Sequence, residues 1–275
     1  TIPNWNRVSL AHLHPEDGAV LRRTVRLPRA WRGRRVYLRF DAIYPAGRVY
    51  LDGVLLGEHT SGLTPVEWDV TDRVRPGQEH VVAVRLLRKH RFVQLDMLRH
   101  ALEFTGLAQT ACFHATGSVE IYGYHLITEL SADRLRGTVA GTVQIRNHRA
   151  QPAAGRLAVT VTTPQGTRGA TKTYRATCAA GTVTDVRVAL AVDQPQLWND
   201  EFPRLYQVTL TLTVGGEKQS VRYATGFRRL DLSPAGPRLN GHPVKFRGVN
   251  HLTFHPRSGL YTPRAWLHEC LTRMK

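Results

Sequence analysis

Apolar and polar residues alternate with a period of two over much of this chain, and this pattern constrains the fold more than any other feature. It is clearest over residues 208–214, where Val, Leu, Leu and Val alternate with three threonines. Because successive side chains of a strand point to opposite faces of a sheet, each such segment buries one face and exposes the other. The same alternation recurs over residues 36–40, 66–70, 138–146, 156–161 and 183–190, and the apolar residues 81–86 are predicted to form a further strand. The chain is therefore predicted to be mainly β.

Three dipeptides that contain glycine mark tight turns between these strands. Asp52-Gly53 separates two short apolar stretches, Gly215-Gly216 follows residues 208–214, and Asn240-Gly241 lies at the centre of residues 238–244. Such pairs tolerate the positive φ angles that two-residue hairpin turns require. Short strands joined by frequent turns are typical of antiparallel β-sandwiches.

The strand pattern divides the chain into three parts. Residues 1–124 are predicted to form one β-sandwich. Residues 125–229 are predicted to form a second, whose length suits a seven-stranded immunoglobulin-like sandwich. Residues 230–275 differ, because a short predicted strand over residues 246–250 precedes an amphipathic helix. A strand followed by a helix is the first βα unit of a larger structure.

The chain is strongly basic, with a formal net charge of +17 that arginine supplies almost alone. Such a charge fits either a nucleic-acid partner held by phosphate contacts or a merely arginine-rich composition. No nucleic-acid-binding motif accompanies the arginines, so no specific nucleic-acid partner is predicted. No apolar run approaches the roughly 18 residues of a membrane-spanning helix, so no membrane association is predicted. The sequence does not indicate a cellular compartment.

The metal-ligating residue types show no spacing that is typical of a metal site. Cys112, Cys178 and Cys270 lie far apart, and reduced structural cysteines are the expected interpretation. His251 and His255 lie four residues apart, but two histidines supply at most half of a zinc site. Neither a metal nor a cofactor is predicted.

Four groups of residues, taken together and in order, resemble glycoside hydrolase family 2, which includes β-galactosidases, β-glucuronidases and β-mannosidases. The family's sugar-binding domain is similar to residues 27–40 with 49–53, and to residues 62–72. The last part of its immunoglobulin-like domain is similar to PQLW at 195–198 with PRLY at 203–206. The start of its catalytic barrel is similar to LNGHPVKFRGVN at 239–250. The resemblance implies a galactose-binding-like jelly-roll sandwich, an immunoglobulin-like sandwich and the first βα unit of a truncated TIM barrel.

The resemblance also implies a reaction, the retaining hydrolysis of a β-glycosidic bond at the non-reducing end of a carbohydrate. That chemistry needs two carboxylates roughly 5–5.5 Å apart, which in this family are glutamates on later barrel strands. After Leu230 the sequence offers only Asp231, which precedes the barrel, and Glu269, which lies on the predicted helix. No catalytic residue is therefore assigned, and the chain alone is predicted to be inactive. A homo-oligomer of the full-length enzyme is compatible with the resemblance.

Three residues are candidates for binding substrate by resemblance. Asp96 matches a loop aspartate that hydrogen-bonds sugar hydroxyls, a task that suits a charged acceptor. Asn250 and His255 match residues at the wall of the family's site. The alternatives are an exposed loop aspartate and packing at a strand end. Leu252 stands where β-galactosidases have a sugar-contacting histidine, so that contact is predicted to be absent or supplied differently.

A second class of function stays open at this point. Two sandwiches could also form a non-catalytic carbohydrate-binding or scaffold protein, because fold does not determine function. The last segment separates the two hypotheses, since a finished binding protein has no reason to leave Trp266, Leu267 and Leu271 unburied. Asn199-Asp200-Glu201 resembles the family's acid/base motif superficially and is predicted to be a polar turn.

Overall fold

The computed structural model describes residues 19–87, 106–107, 109–251, 255–257 and 262–274. These residues form antiparallel sheets and one α-helix, so the prediction of a mainly β protein is confirmed. The chain divides into two compact units. The first contains Thr1–Ala115 and Val249–Lys275, and the second contains Thr116–Gly248.

The first unit is built around two sheets that share one apolar core. Its strands are β1 (Val20–Arg26), β2 (Arg35–Phe40), β3 (Ala46–Leu51), β4 (Val54–His59), β5 (Val66–Asp69), β6 (Glu79–Leu87) and β7 (Ala111–Thr116). One sheet has the order β1-β6-β3-β4 and the other the order β5-β2-β7. Both contribute to the core, which contains the fully buried Leu38, Phe40 and Val84. Trp31 and Trp68 pack against this core.

The β3–β4 turn of the first unit is fixed by a buried histidine. Asp52 and Gly53 have φ angles of 49° and 83°, which confirms the predicted hairpin turn. The Asp52 carboxylate accepts a hydrogen bond from the Val81 amide at 2.7 Å, and Nδ1 of His80 lies 2.7 Å from its other oxygen. Burial alone would raise the pKa of Asp52, but these hydrogen bonds outweigh it and lower the pKa below its ordinary value.

The second unit contains seven long strands in two sheets. They are β8 (Val119–Leu130), β9 (Arg136–Asn147), β10 (Ala153–Thr162), β11 (Arg168–Cys178), β12 (Val183–Asp193), β13 (Tyr206–Val214) and β14 (Glu217–Thr225). The sheet orders are β12-β9-β8 and β11-β10-β13-β14. Val208, Leu210 and Leu212 are buried and the threonines between them are half-buried, so the alternation predicted for β13 is confirmed.

A small sheet follows, made of β15 (Leu230–Ser233), β16 (Gly236–Leu239) and β17 (His242–Pro243). The predicted Asn240-Gly241 turn is confirmed, with φ angles of 52° and 83°. The strand predicted over residues 246–250 is wrong, because residues 244–250 have no regular structure. A strand exists through hydrogen bonds to a neighbour, and no described strand pairs with this segment. Phe246 and Val249 remain 68% and 74% exposed.

The predicted amphipathic helix is confirmed as α1 (Arg264–Met274). None of its residues is buried, and Leu271 and Met274 are 62% and 47% exposed. All three cysteines are free, as predicted. Among the described residues, no helix has the length and apolar character needed to cross a bilayer.

The buried His59 at the end of β4 is expected to make the stability of the first unit depend on pH. Its side chain is 7% exposed, and Nε2 has no hydrogen-bond partner within the described part of the chain. Burial lowers the pKa of His59 below its ordinary value of 6.5, so the folded state favours the neutral ring. The contribution of the neutral His59 ring to folding stability is therefore complete above pH 6.5 and is lost as the pH falls through the folded-state pKa.

This expectation is checked by urea unfolding at neutral and mildly acidic pH. The wild-type first unit should lose stability on acidification, and a His59→Gln variant should lose less. His125→Gln, which removes an exposed histidine of the second unit, serves as the control. An equal loss in all three proteins would contradict the assignment to His59.

Candidate functional site

The structure places only two of the three predicted substrate-binding residues. Asp96 lies outside the described residues, as does Leu252. Asn250 is exposed in the segment without regular structure. His255 packs edge-on against Trp266, with 5.1 Å between ring centroids, and its Nδ1 accepts a hydrogen bond from the Arg257 amide. The contact with Trp266 is a packing contact, and sugar binding by Asp96, Asn250 and His255 stays a prediction.

A groove of about 1070 Å³ lies in the second unit, beside the small sheet formed by β15–β17. Its walls come from the loop after β12, from the residues that follow β14 and from the segment after β17. The lining residues include Arg134, Trp198, Asn199, Asp200, Glu201, Arg228, Asn240, Lys245 and Phe246. The groove therefore combines an aromatic ring, charges of both signs and apolar side chains.

Trp198 is held in the groove wall by backbone pairing with Phe227, two residues after the end of β14. The Trp198 amide donates a hydrogen bond to the Phe227 carbonyl at 2.9 Å, and Leu197 forms a parallel bridge with Phe227. The guanidinium of Arg228 lies 4.8 Å from the centroid of the indole ring, within range of a cation–π interaction. The main chain at Trp198 is thus fixed by its pairing with Phe227, and the indole ring contacts the guanidinium of Arg228.

The buried Asn240 connects three segments that line the groove. Its side-chain amide donates to the Trp198 carbonyl at 2.9 Å, and its side-chain oxygen accepts from the Arg229 amide at 2.9 Å. The Asn240 carbonyl accepts a hydrogen bond from the guanidinium of Arg134. Asn240 is only 6% exposed, so water cannot readily replace its side chain as the hydrogen-bond partner of these backbone groups. Asparagine also tolerates the left-handed backbone at this position.

The two carboxylates in the groove do not form a catalytic pair. Asp200 and Glu201 are consecutive and exposed, in a turn that Asn199 closes by accepting a hydrogen bond from the Phe202 amide at 2.5 Å. The prediction of a polar turn is confirmed. Glycoside hydrolysis needs two carboxylates that face each other across the scissile bond, and one exposed turn does not supply that arrangement.

The two acidic residues that follow Leu230 among the described residues form ion pairs with arginines close to them in sequence. Asp231 forms an ion pair with Arg229 at 2.8 Å, and Glu269 pairs with Arg273 at 2.7 Å, one helical turn away. Exposed ion pairs of this kind contribute little to stability. Across the described ranges, no group of three or more His, Cys, Asp or Glu residues is placed to hold a metal ion.

Two family models match this chain in sequence order. The model of the glycosyl hydrolases family 2 sugar binding domain matches residues 8–100, and the glycosyl hydrolases family 2 model matches residues 119–228. Together these ranges cover most of the chain. The chain belongs to glycosyl hydrolase family 2.

Individual relatives extend the similarity over nearly the whole chain. The β-galactosidase of Thermoanaerobacter pseudethanolicus is 24% identical over 92% of this chain, which spans 35% of that protein. A β-glucuronidase of Bacteroides fragilis is 28% identical over 80% of this chain, which spans 32% of that protein. The solved structure of Bacteroides uniformis β-glucuronidase 2 superposes with a TM-score of 0.82 at 23% identity, over 94% of this chain and 32% of its own. The chain thus spans about a third of the length of these relatives.

Proposed function

We propose that this chain is the N-terminal portion of a retaining exo-β-glycosidase whose catalytic glutamates lie outside these 275 residues. In this proposal residues 1–124 are a galactose-binding-like jelly roll and residues 125–229 an immunoglobulin-like sandwich. Residues 230–275 begin the (β/α)8 barrel. The observation that carries the proposal is the ordered match to two models of one family, in a chain about a third as long as its relatives.

The exposed apolar residues near the end of the chain support this proposal. Phe246, Val249, Leu271 and Met274 are 47–74% exposed. Full burial of one such side chain stabilises a protein by about 1.5–3 kcal/mol. Further barrel elements that covered these four side chains would therefore be stabilised by several kcal/mol. This exposure also favours the glycosidase hypothesis over a finished carbohydrate-binding protein.

The proposed substrate is a β-glycoside. The relatives described above are named as β-galactosidases and β-glucuronidases, so β-galactosides and β-glucuronides are the first substrates to test. Asp96, Asn250 and His255 are proposed to contact the sugar in the full-length enzyme. No cofactor is proposed, and a homo-oligomer of the full-length enzyme remains part of the proposal.

The isolated chain is expected to show no glycosidase activity, because the described residues supply no opposed pair of carboxylates and the proposed catalytic glutamates lie outside the chain. The measurement is release of nitrophenol from nitrophenyl β-galactoside, β-glucuronide and β-mannoside by the purified 275-residue chain. Asp200→Asn and Glu201→Gln variants are assayed in parallel. Turnover by the wild-type chain that either substitution abolishes would overturn the proposal.

A further inference from the structure

The outer face of the sheet β1-β6-β3-β4 brings three arginines together on neighbouring strands. Arg85 on β6 lies directly opposite Arg48 on β3. Arg22 on β1 lies opposite Ala83, two residues from Arg85 along β6. All three side chains are exposed, while the neighbouring residues Leu21, Val49 and Val84 on the opposite face are buried in the core. The register of the sheet therefore creates a basic patch that is not continuous in sequence.

Among the contacts of the described residues, an ion pair neutralises only one of these three arginines. Arg48 forms an ion pair with Glu58 on β4 at 2.8 Å. Arg22 and Arg85 form no ion pair within the described residues. The residues directly opposite Arg85 in the ladder are Arg48 and Val20, so its guanidinium has no acidic residue across from it on either neighbouring strand.

An aromatic ring and a gap lie next to the unpaired arginines. Tyr50 on β3 and Arg22 on β1 flank Ala83, which is the residue between them in the ladder. Adjacent strands are about 4.8 Å apart, so Tyr50 and Arg22 stand roughly 10 Å apart across a residue with almost no side chain. Tyr50 is half-buried, and the exposed Leu55 lies opposite it on β4. Only the methyl group of Ala83 therefore lies between the Arg22 and Tyr50 positions in the ladder.

We propose that Arg22, Arg85 and Tyr50 form a binding site for an acidic polysaccharide. A guanidinium binds a carboxylate with two parallel, charge-assisted hydrogen bonds, so the arginines suit the uronate groups of such a chain. The Tyr50 ring supplies a flat apolar surface for the face of a sugar ring. This site lies outside the groove, needs no catalytic barrel and is independent of the proposed glycosidase function.

The distribution of acids on the same face favours a glycan over a nucleic acid. Glu58 neutralises Arg48, and Glu79 lies 3.8 Å from Arg26 at the other end of the face. Within the described residues, the patch therefore has two arginines without an ion pair and is not an extended basic surface. Nucleic-acid binding in which about 6–10 phosphates are neutralised needs a longer basic surface.

The test measures calorimetric binding of a galacturonic acid oligomer to the full 275-residue chain at about 0.15 M salt, where exposed charges are largely screened beyond roughly 8 Å. The fully methyl-esterified oligomer has the same sugar rings without charge, and a single-stranded DNA of equal charge represents the nucleic-acid alternative. The variants are Arg22→Gln, Arg85→Gln and Tyr50→Ser. Arg187→Gln is the matched control, since it removes one exposed arginine of the second unit.

The proposal expects binding of the galacturonate oligomer that each arginine substitution at the patch weakens by about tenfold. Tyr50→Ser should also weaken it, Arg187→Gln should not, and the esterified oligomer should fail to bind. Circular dichroism and thermal unfolding confirm that each variant is folded. Absence of galacturonate binding would overturn the proposal, as would an equal effect of Arg187→Gln. Tighter binding of the DNA, with no dependence on Tyr50, would assign the patch to nucleic acid instead.

Discussion

Replacing Phe227 with alanine is expected to lower the free energy of unfolding of the second unit by about 3–5 kcal/mol, the usual cost of deleting a buried aromatic ring. Phe227 has no exposed surface and packs edge-on against Tyr206, with 4.9 Å between ring centroids. A Cβ placed on Gly137 would lie 2.5 Å from its ring, so the ring rests directly on the backbone of β9. Little of the space left by the ring could be refilled.

The effect is measured by urea unfolding of the full chain, with Phe227→Leu as a milder variant in case alanine prevents folding. Tyr206→Phe is the matched control, because it removes only the hydroxyl that accepts the Gln196 amide at 2.8 Å. That control should cost about 1 kcal/mol. Equal losses for Phe227→Leu and Tyr206→Phe would contradict a central packing role for Phe227.

Replacing Asn240 with alanine is expected to destabilise the second unit by about 3–5 kcal/mol. The substitution leaves the Trp198 carbonyl and the Arg229 amide without the side-chain partners that they have in the structure. Because both hydrogen bonds are only part-buried, the cost is about 1–2 kcal/mol each. It also places alanine at a φ of 52°, which costs about 1 kcal/mol more.

Asn240→Gly separates the two contributions, because glycine adopts a positive φ without strain but carries no amide. If the hydrogen bonds dominate, the glycine variant should be nearly as unstable as the alanine variant. Trypsin should also cleave both variants faster after Lys245 and Arg247, because the groove wall loses the side-chain hydrogen bonds of Asn240 to Trp198 and Arg229. A glycine variant as stable as the wild type would show that Asn240 acts through its backbone alone.

Local features of the fold could be predicted from sequence, and features that depend on distant partners could not. The turns at residues 52–53 and 240–241 follow from residue types that tolerate positive φ, and the helix α1 follows from its own periodicity. The strand predicted over residues 246–250 fails because a strand needs a neighbour, and the sequence of the segment does not say whether one is present.

The same limit applies to the two sites. Asn240 is recognisable as a turn residue, but its side chain bonds to Trp198, 42 positions earlier in the chain. The patch on the first unit depends on a register that places Arg85 opposite Arg48, across two strands that are not consecutive. Neither relationship leaves a periodic signal in the sequence.

The central claim is that this chain continues into a catalytic barrel. It is tested most directly by determining the coding sequence that follows Lys275. We expect the reading frame to continue through further alternating strand and helix segments, with two glutamates at strand ends to serve as nucleophile and general acid/base. A stop codon directly after Lys275, or a continuation without such segments, would contradict the account.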